Sequence, residues 1–317
     1  MVGHTLFSPE GNATAKSGWP VENEPPKGWT LWVELEDATK EEIDQLGARW
    51  AFHKLALEDC RNQQRRAKYE RYATHSFLVA LALDQRTAEA LDTTAIHIFL
   101  RSDLIVSVHA SGMPCITTIR AALESDPGHV GCTPGRIAHA LVDAAIDEFM
   151  PLLDDFEERG ESLERQATQE PRPHLVDQLT SLRRDLLTLR RITVSVKESA
   201  SRLMDSQETT EEDRLYFRDV MDHILAIGDA VTVQLEVCNG ALQVHANMVN
   251  ERMNQVMKYL AIVSTFLLPM TVISGAFGMN FKYIPTTDSP AGFWGAITMM
   301  GISAAGLLWY FRRRGWL

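Results

Sequence analysis

The chain has 317 residues and a formal charge of −11, set by 42 acidic and 31 basic side chains. That acidic excess argues against nucleic acid as a partner, which needs a basic stripe, and the length allows one sizeable soluble domain beside a membrane segment. Cys60, Cys115, Cys132 and Cys238 form no Cys-x-x-Cys pair, so neither a disulfide framework nor a zinc knuckle is expected.

Residues 1–27 are rich in Gly, Pro, Ser and Asn and are expected to be a poorly ordered lead-in. Trp29–Leu35 alternates as a strand does, and Thr39 with Glu42 forms a capping box that opens a helix. His75–Leu83, Ala95–Leu100 and Leu104–His109 are short apolar runs, the last two joined by a hairpin turn at Arg101-Ser102-Asp103. With helical stretches around 40–60 and 114–125, they predict a cytosolic α/β domain over 28–130. Residues 131–258 then read as helix. Thr133–Gln169 is expected to be one helix, ending before Pro171-Arg172-Pro173. His174–Met204 is a second, with Leu182, Leu186, Leu189 and Ile192 on one face. Thr209 with Glu212 reads as another capping box, and acids at 211–213 suit a helix N-terminus. From about 210 to about 277 a single helix is predicted, on the order of 100 Å long at ~1.5 Å per residue. Such a helix needs a bundle of neighbours or copies to bury its apolar face.

Tyr259–Phe277 and Ala291–Phe311 carry no charged side chain. Each approaches the ~20 residues an α-helix needs to cross a ~30 Å hydrocarbon core. The predicted division is a span at 259–278, an external loop at 279–290, a second span at 291–311 and a basic tail at 312–317. Arg252 and Lys258 precede the first span, and Arg312, Arg313 and Arg314 follow the second. Positive residues favour the cytoplasmic side, so both termini are expected inside. Residues 1–20 lack the apolar stretch of a cleavable signal peptide.

Two helices per chain cannot enclose an aqueous path, so a channel would have to be a homo-oligomer with one helix per subunit on the axis. In the first span Asn254, Met257, Ala261, Ser264, Leu268, Thr271 and Gly275 follow at spacings of three and four. That period keeps one stripe on the axis of a left-handed bundle. Helix–helix packing in lipid also gathers small and hydroxyl residues. Ile262, Phe266 and Val272, between the stripe positions, are expected to face lipid. The stripe holds no carboxylate, which suits an ion that keeps its water, and Mg²⁺ sheds water reluctantly. Met257 and Leu268 are candidate apolar constrictions. Pro269 frees the carbonyl of Thr265.

Asn254-Gln255-Val256-Met257-Lys258, Leu267-Leu268-Pro269-Met270-Thr271, Phe277-Gly278-Met279-Asn280-Phe281 and the Trp316-Leu317 ending together resemble the CorA family of divalent-cation channels. Leu55-Ala56-Leu57-Glu58-Asp59 with Gln64-Arg65, and Tyr216 through His223, are similar to it as well. The likeness covers nearly the whole chain after residue 28. It implies a funnel-shaped homopentamer of the inner membrane, with a cytosolic α/β domain and a long stalk helix that becomes the pore-lining helix. It implies that Met257, Leu260 or Ala261, Leu268 and Thr271 line the path, and that Gly278, Met279 and Asn280 form the outer mouth. There Asn280 and the Gly278 carbonyl would receive a hydrated cation. In magnesium-transporting members, acids between subunits bind the ion and hold the pore shut. The matching positions are Asp219 with His223, opposed by Asp84 or Asp143 of a neighbour.

One departure bears on the ion. The loop Phe281-Lys282-Tyr283-Ile284-Pro285 carries a lysine, and Asp288 is its only acid. The zinc-transporting branch of the superfamily also lacks an acidic loop. Mg²⁺, with Co²⁺ or Ni²⁺ as surrogates, and Zn²⁺ both stay open as cargo, and a membrane-tethered metal sensor that conducts nothing is the third reading. No Walker, Gly-x-Ser-x-Gly or His-Glu-x-x-His motif supports an enzyme. No permanently bound cofactor is expected, and the ten histidines show no ligand pair in the sequence.

Overall fold

In the computed structural model, residues 1–20, 22, 24–84, 91–125, 133–169, 173–206, 209–279 and 290–316 are described. The chain forms two compact units, Met1–Leu242 and Gln243–Leu317.

A seven-stranded sheet organises the first unit, in the order β2-β1-β3-β7-β6-β5-β4. Its strands are β1 Val2–Phe7, β2 Ala13–Ser17, β3 Thr30–Glu36, β4 Lys68–Arg71, β5 Ser76–Leu83, β6 Thr93–Leu100 and β7 Leu104–His109. Neighbours are antiparallel except β3 and β7, whose parallel register pairs Leu31 with Leu104. Every residue of β6 and β7 is buried, so helices must cover both faces there. The Arg101 N–H donates to the Leu104 carbonyl at 2.8 Å and closes the turn between them.

The lead-in expectation for 1–27 is corrected. β1 and β2 form a hairpin, and β1 extends the sheet by pairing along β3. Phe7 is fully buried. The Gly, Ser and Asn content serves a turn, in which Ser8 N–H donates to the Asn12 carbonyl and Gly11 takes φ 91°. β4 escapes sequence reading because Lys-Tyr-Glu-Arg has no apolar run. Pairing with β5 and the Tyr69–Ser76 hydroxyl contact at 2.8 Å hold it.

The helices of this unit are α1 Lys40–Trp50, α2 Lys54–Arg61, α3 Pro114–Ser125, α4 Pro134–Asp147, α5 Phe149–Gln169 and α6 Pro173–Met204. The boundary placed at 130 does not divide the molecule, because α4 packs directly on β3, β5, β6 and β7. Nor is Thr133–Gln169 one helix. It breaks at Glu148, whose carboxylate accepts from Leu83 N–H at 3.1 Å and Cys115 N–H at 2.8 Å. Pro151 then sits in the first turn of α5, where a missing N–H costs nothing.

Helix α7 runs unbroken over 68 residues, Glu211–Gly278. Its cap lies one residue later than the sequence suggested. Asp213 N–H donates to Thr210 Oγ1 at 3.1 Å, and Thr210 N–H donates to Asp213 Oδ2 at 3.0 Å. Thr209 is buried and instead donates to the Leu203 carbonyl. Phe217, Val220, Ile224, Ile227 and Val231 of α7 enter the same core as Leu182, Leu186 and Leu189 of α6.

The second unit holds the rest of α7 and α8, Pro290–Arg313. Among the described residues these two helices are long and apolar enough to cross a membrane, and almost none of either apolar stretch is buried. Phe266 of α7 meets Phe311 of α8 at 5.9 Å between ring centroids. Lys258, Arg313 and Arg314 lie over the rings of Trp316, Trp309 and Tyr310. Such aromatic–basic ends suit the headgroup level of a bilayer.

Candidate functional site

Two sets of residues carry chemistry, one in each unit. In the second unit, α7 presents two different faces. Ile262 is only 6% exposed and Phe266 is half-buried. They are spaced by four, and Phe266 abuts α8, so the expectation that both face lipid is corrected. Val272 is exposed. The predicted stripe lies elsewhere on the helix. Asn254, Met257, Leu260, Ala261, Ser264, Leu268, Thr271 and Gly275 are all exposed, and Leu268 is 67% exposed. The chain's own α8 leaves that stripe uncovered. Thr265 and Thr271 donate their hydroxyls back to the Ala261 and Leu267 carbonyls, at 2.7 and 2.9 Å. Each hydroxyl oxygen thus keeps its lone pairs for a donor such as ion-bound water. Pro269 sits inside the helix. Gly278 and Met279 end the described part of this segment; Asn280 and the loop bearing Lys282 and Asp288 lie outside the described residues, as do Cys132 and Leu317.

In the first unit, α4 and α7 bring Asp143, Asp147 and His223 together. Asp143 and Asp147 are i, i+4 on α4 and so share a face. His223 Nδ1 lies 3.6 Å from an oxygen of each. That separation is too long for a hydrogen bond. Asp143 Oδ1 and His223 Nδ1 are buried atoms that no hydrogen bond satisfies. One donor atom from each of the three residues falls within 4.8 Å of the others. Ligands ~2.1 Å from one Mg²⁺ or Zn²⁺ lie about 3 to 3.5 Å apart; at 3.6 Å from His223 to each carboxylate, the set is slightly wider and would have to draw in to hold such an ion. Burial, then the Asp147 charge, push the Asp143 carboxyl above its ordinary range, while His223 acts against them. Next to it, burial and the Arg136 charge take His139 down to about 4, so its ring is neutral at pH 7.

Within one chain the candidate regulatory residues fall as follows. Asp143 stands 3.6 Å from His223 within the same chain. Asp147 was missed, although its i+4 spacing from Asp143 was legible. Asp219 is exposed and supplies charge nearby, raising the Asp143 carboxyl, but it contributes no atom to the trio. Asp84 is buried at the end of β5, where its N–H donates to the Asp92 carbonyl at 2.9 Å, and it is not part of the trio. His223 has two carboxylates beside it, which sequence spacing could not show because they come from another helix.

The fold is that of a membrane protein built as an α/β unit, a continuous long helix and two apolar helices. Residues 28–313 match the family described as CorA-like Mg²⁺ transporter protein, and the chain belongs to that family of divalent-cation transporters. It is 30% identical to YfjQ of Bacillus subtilis over 94% of this chain and 93% of that one. The CorA magnesium transporter of Methanocaldococcus jannaschii superposes with a TM-score of 0.83 at 20% identity, covering 99% of this chain and 98% of that one. The ZntB cytoplasmic domain of Vibrio parahaemolyticus gives 0.66 at 12% identity, over 78% and 98%.

Proposed function

We propose that the chain forms a homopentameric channel that passes hydrated Mg²⁺ across the inner membrane, with both termini in the cytoplasm. The observation that carries this reading is the uncovered stripe on α7. It offers amide, hydroxyl, small and aliphatic side chains, with no carboxylate to hold a bare ion. Copies of the chain would bring five such stripes to one axis. Gly278, Met279 and Asn280 would form the outer mouth, with the Asn280 amide accepting from water on the ion. Met257 and Leu268 would narrow the path. Co²⁺ and Ni²⁺ would pass as surrogates.

Asp143, Asp147 and His223 would hold a cytosolic ion, with Asp219 adding negative charge and Asp84 outside the set. An ion there relieves the repulsion between carboxylates on α4 while tying α4 to α7, the helix that continues as the pore stripe. Occupancy would favour one conformation, and loss of the ion would release it. A second reading, Zn²⁺ as cargo, is favoured by His223, because an imidazole among carboxylates suits Zn²⁺ better than Mg²⁺.

The test is flux into proteoliposomes read with Mg²⁺-, Co²⁺- and Zn²⁺-sensitive dyes, for the native chain and Asn280→Ala. Mg²⁺ entry that disappears in the variant is the expected result. Zn²⁺ entry without Mg²⁺ moves the cargo to zinc, and no flux of any ion leaves a metal sensor.

A further inference from the structure

We propose that the first unit carries a binding pocket for a polyphosphate of the nucleotide class, lined by none of the Asp143, Asp147 and His223 trio. The pocket, about 530 Å³, lies where α6 meets the sheet. Arg65 and Arg66, from the segment before β4, and Arg190 and Arg191, from α6, all line it. In a chain of net charge −11, four guanidinium groups around one cavity run against the overall balance.

Among the described residues the pocket's positive charge is only partly neutralised by the protein. Arg65 is bound by both oxygens of Asp92, at 3.0 and 2.9 Å. Glu198, at the rim, is bonded to Arg202 at 2.6 Å. Among the described residues, no carboxylate pairs with Arg66, Arg190 or Arg191. With no acidic partner among the described residues, these three guanidiniums on two elements repel one another, and an anion that joins them relieves that repulsion. Guanidinium forks match phosphate oxygens two at a time, and several forks converging favour more than one phosphate. Apart from Ser195, the remaining lining is apolar. Leu81 of β5 and Ile192 of α6 are buried, with Val194 exposed beside them. That wall suits the flat face of a base. The volume lies in the range of small-molecule sites.

The folded core does not need these arginines. α6 turns Leu182, Leu186, Leu189 and Ile192 inward and leaves Arg190 and Arg191 exposed. Glutamine keeps the helix propensity of arginine, so R190Q/R191Q should fold. Arg66→Gln, in the segment before β4, tests the other wall independently.

Calorimetric titration of the full detergent-solubilised chain in EDTA, with inorganic phosphate, ATP and adenosine as probes, decides the matter. We expect ATP to bind once per chain, more tightly than inorganic phosphate, and to weaken with salt, while adenosine alone does not bind. R190Q/R191Q and Arg66→Gln should each lose at least ~10-fold in ATP affinity at an unchanged melting temperature. Arg165→Gln, an exposed arginine paired with Glu161 on α5, should lose nothing. ATP that binds no better than phosphate, or keeps its affinity in both pocket variants, overturns the proposal.

Discussion

Gly135→Ala tests how the start of α7 is locked to α4. A Cβ at Gly135 would stand 2.6 Å from Asp213 Oδ2 and 2.9 Å from its Cγ. The carboxylate cannot easily retreat. Asp213 is 1% exposed, and its oxygens accept from Thr210 N–H at 3.0 Å, Thr210 Oγ1 at 2.8 Å and Thr133 Oγ1 at 3.1 Å. Overpacking of this kind costs ~1–3 kcal/mol, and one weakened bond to a charged group adds ~1.5 kcal/mol or more. The better helix propensity of alanine returns at most ~1 kcal/mol. A net loss of ~2 kcal/mol follows. In an Asp213→Ala background the two closest atoms are gone and the next, the Asp213 Cβ position, stands at 3.4 Å, which is tight but admissible. There the same Gly135→Ala change should be neutral or slightly stabilising. The coupling between the two positions is therefore ~2 kcal/mol or more. Thermal unfolding of the detergent-solubilised chain reads it, through the fluorescence of the buried Trp32 and Trp50. Additive penalties in the double variant would falsify the interlock.

Two other outcomes follow from the first unit. His97, in the middle of β6, is held by burial well below the ordinary 6.5, at about 4. The unfolded chain binds that proton more readily, so His97 contributes stability that is complete above pH 6.5 and lost as pH falls toward 4. At ~1.36 kcal/mol per pH unit the loss is about 3 kcal/mol. Denaturant titrations across that window should show a steeper acid decline in the native chain than in His97→Leu, and equal slopes would remove His97 as the cause. For the metal trio, Asp147→Asn and His223→Ala should each weaken Co²⁺ binding at least ~10-fold, the scale on which even outer partners of a metal site act. Because the Asp143 carboxyl is raised by burial and by Asp147, protons compete with the ion in mildly acid solution, so native affinity should fall as pH is lowered. Co²⁺ absorption spectra at several pH values measure both effects, and affinity independent of these residues rules the trio out as the site.

How much the sequence discloses depends on the range over which each feature is decided. The two uncharged runs, the long helix without an early proline and the Gly278-Met279-Asn280 ending are properties of contiguous residues. Length, charge and period therefore specify an α/β domain, a continuous helix and two apolar helices with no partner in view. Local chemistry can still mislead by one position. Thr209 with Glu212 has the form of a capping box, but the buried Thr209 hydroxyl is committed to Leu203 and the cap passes to Thr210 and Asp213.

Only tertiary structure decides the rest, because the deciding contacts join residues far apart in the chain. The first seventeen residues become strands since β3 offers an edge to pair with. Glu148 interrupts a helix because two backbone donors from β5 and α3 need its carboxylate. Asp143 and Asp147 meet His223 across some 80 residues of sequence, and four arginines from two distant segments converge on one cavity. The face of α7 that carries the polar stripe is left open because α8 takes the face of Ile262 and Phe266. Periodicity places residues on a common face of a helix, but which face is covered depends on the neighbour that packs there.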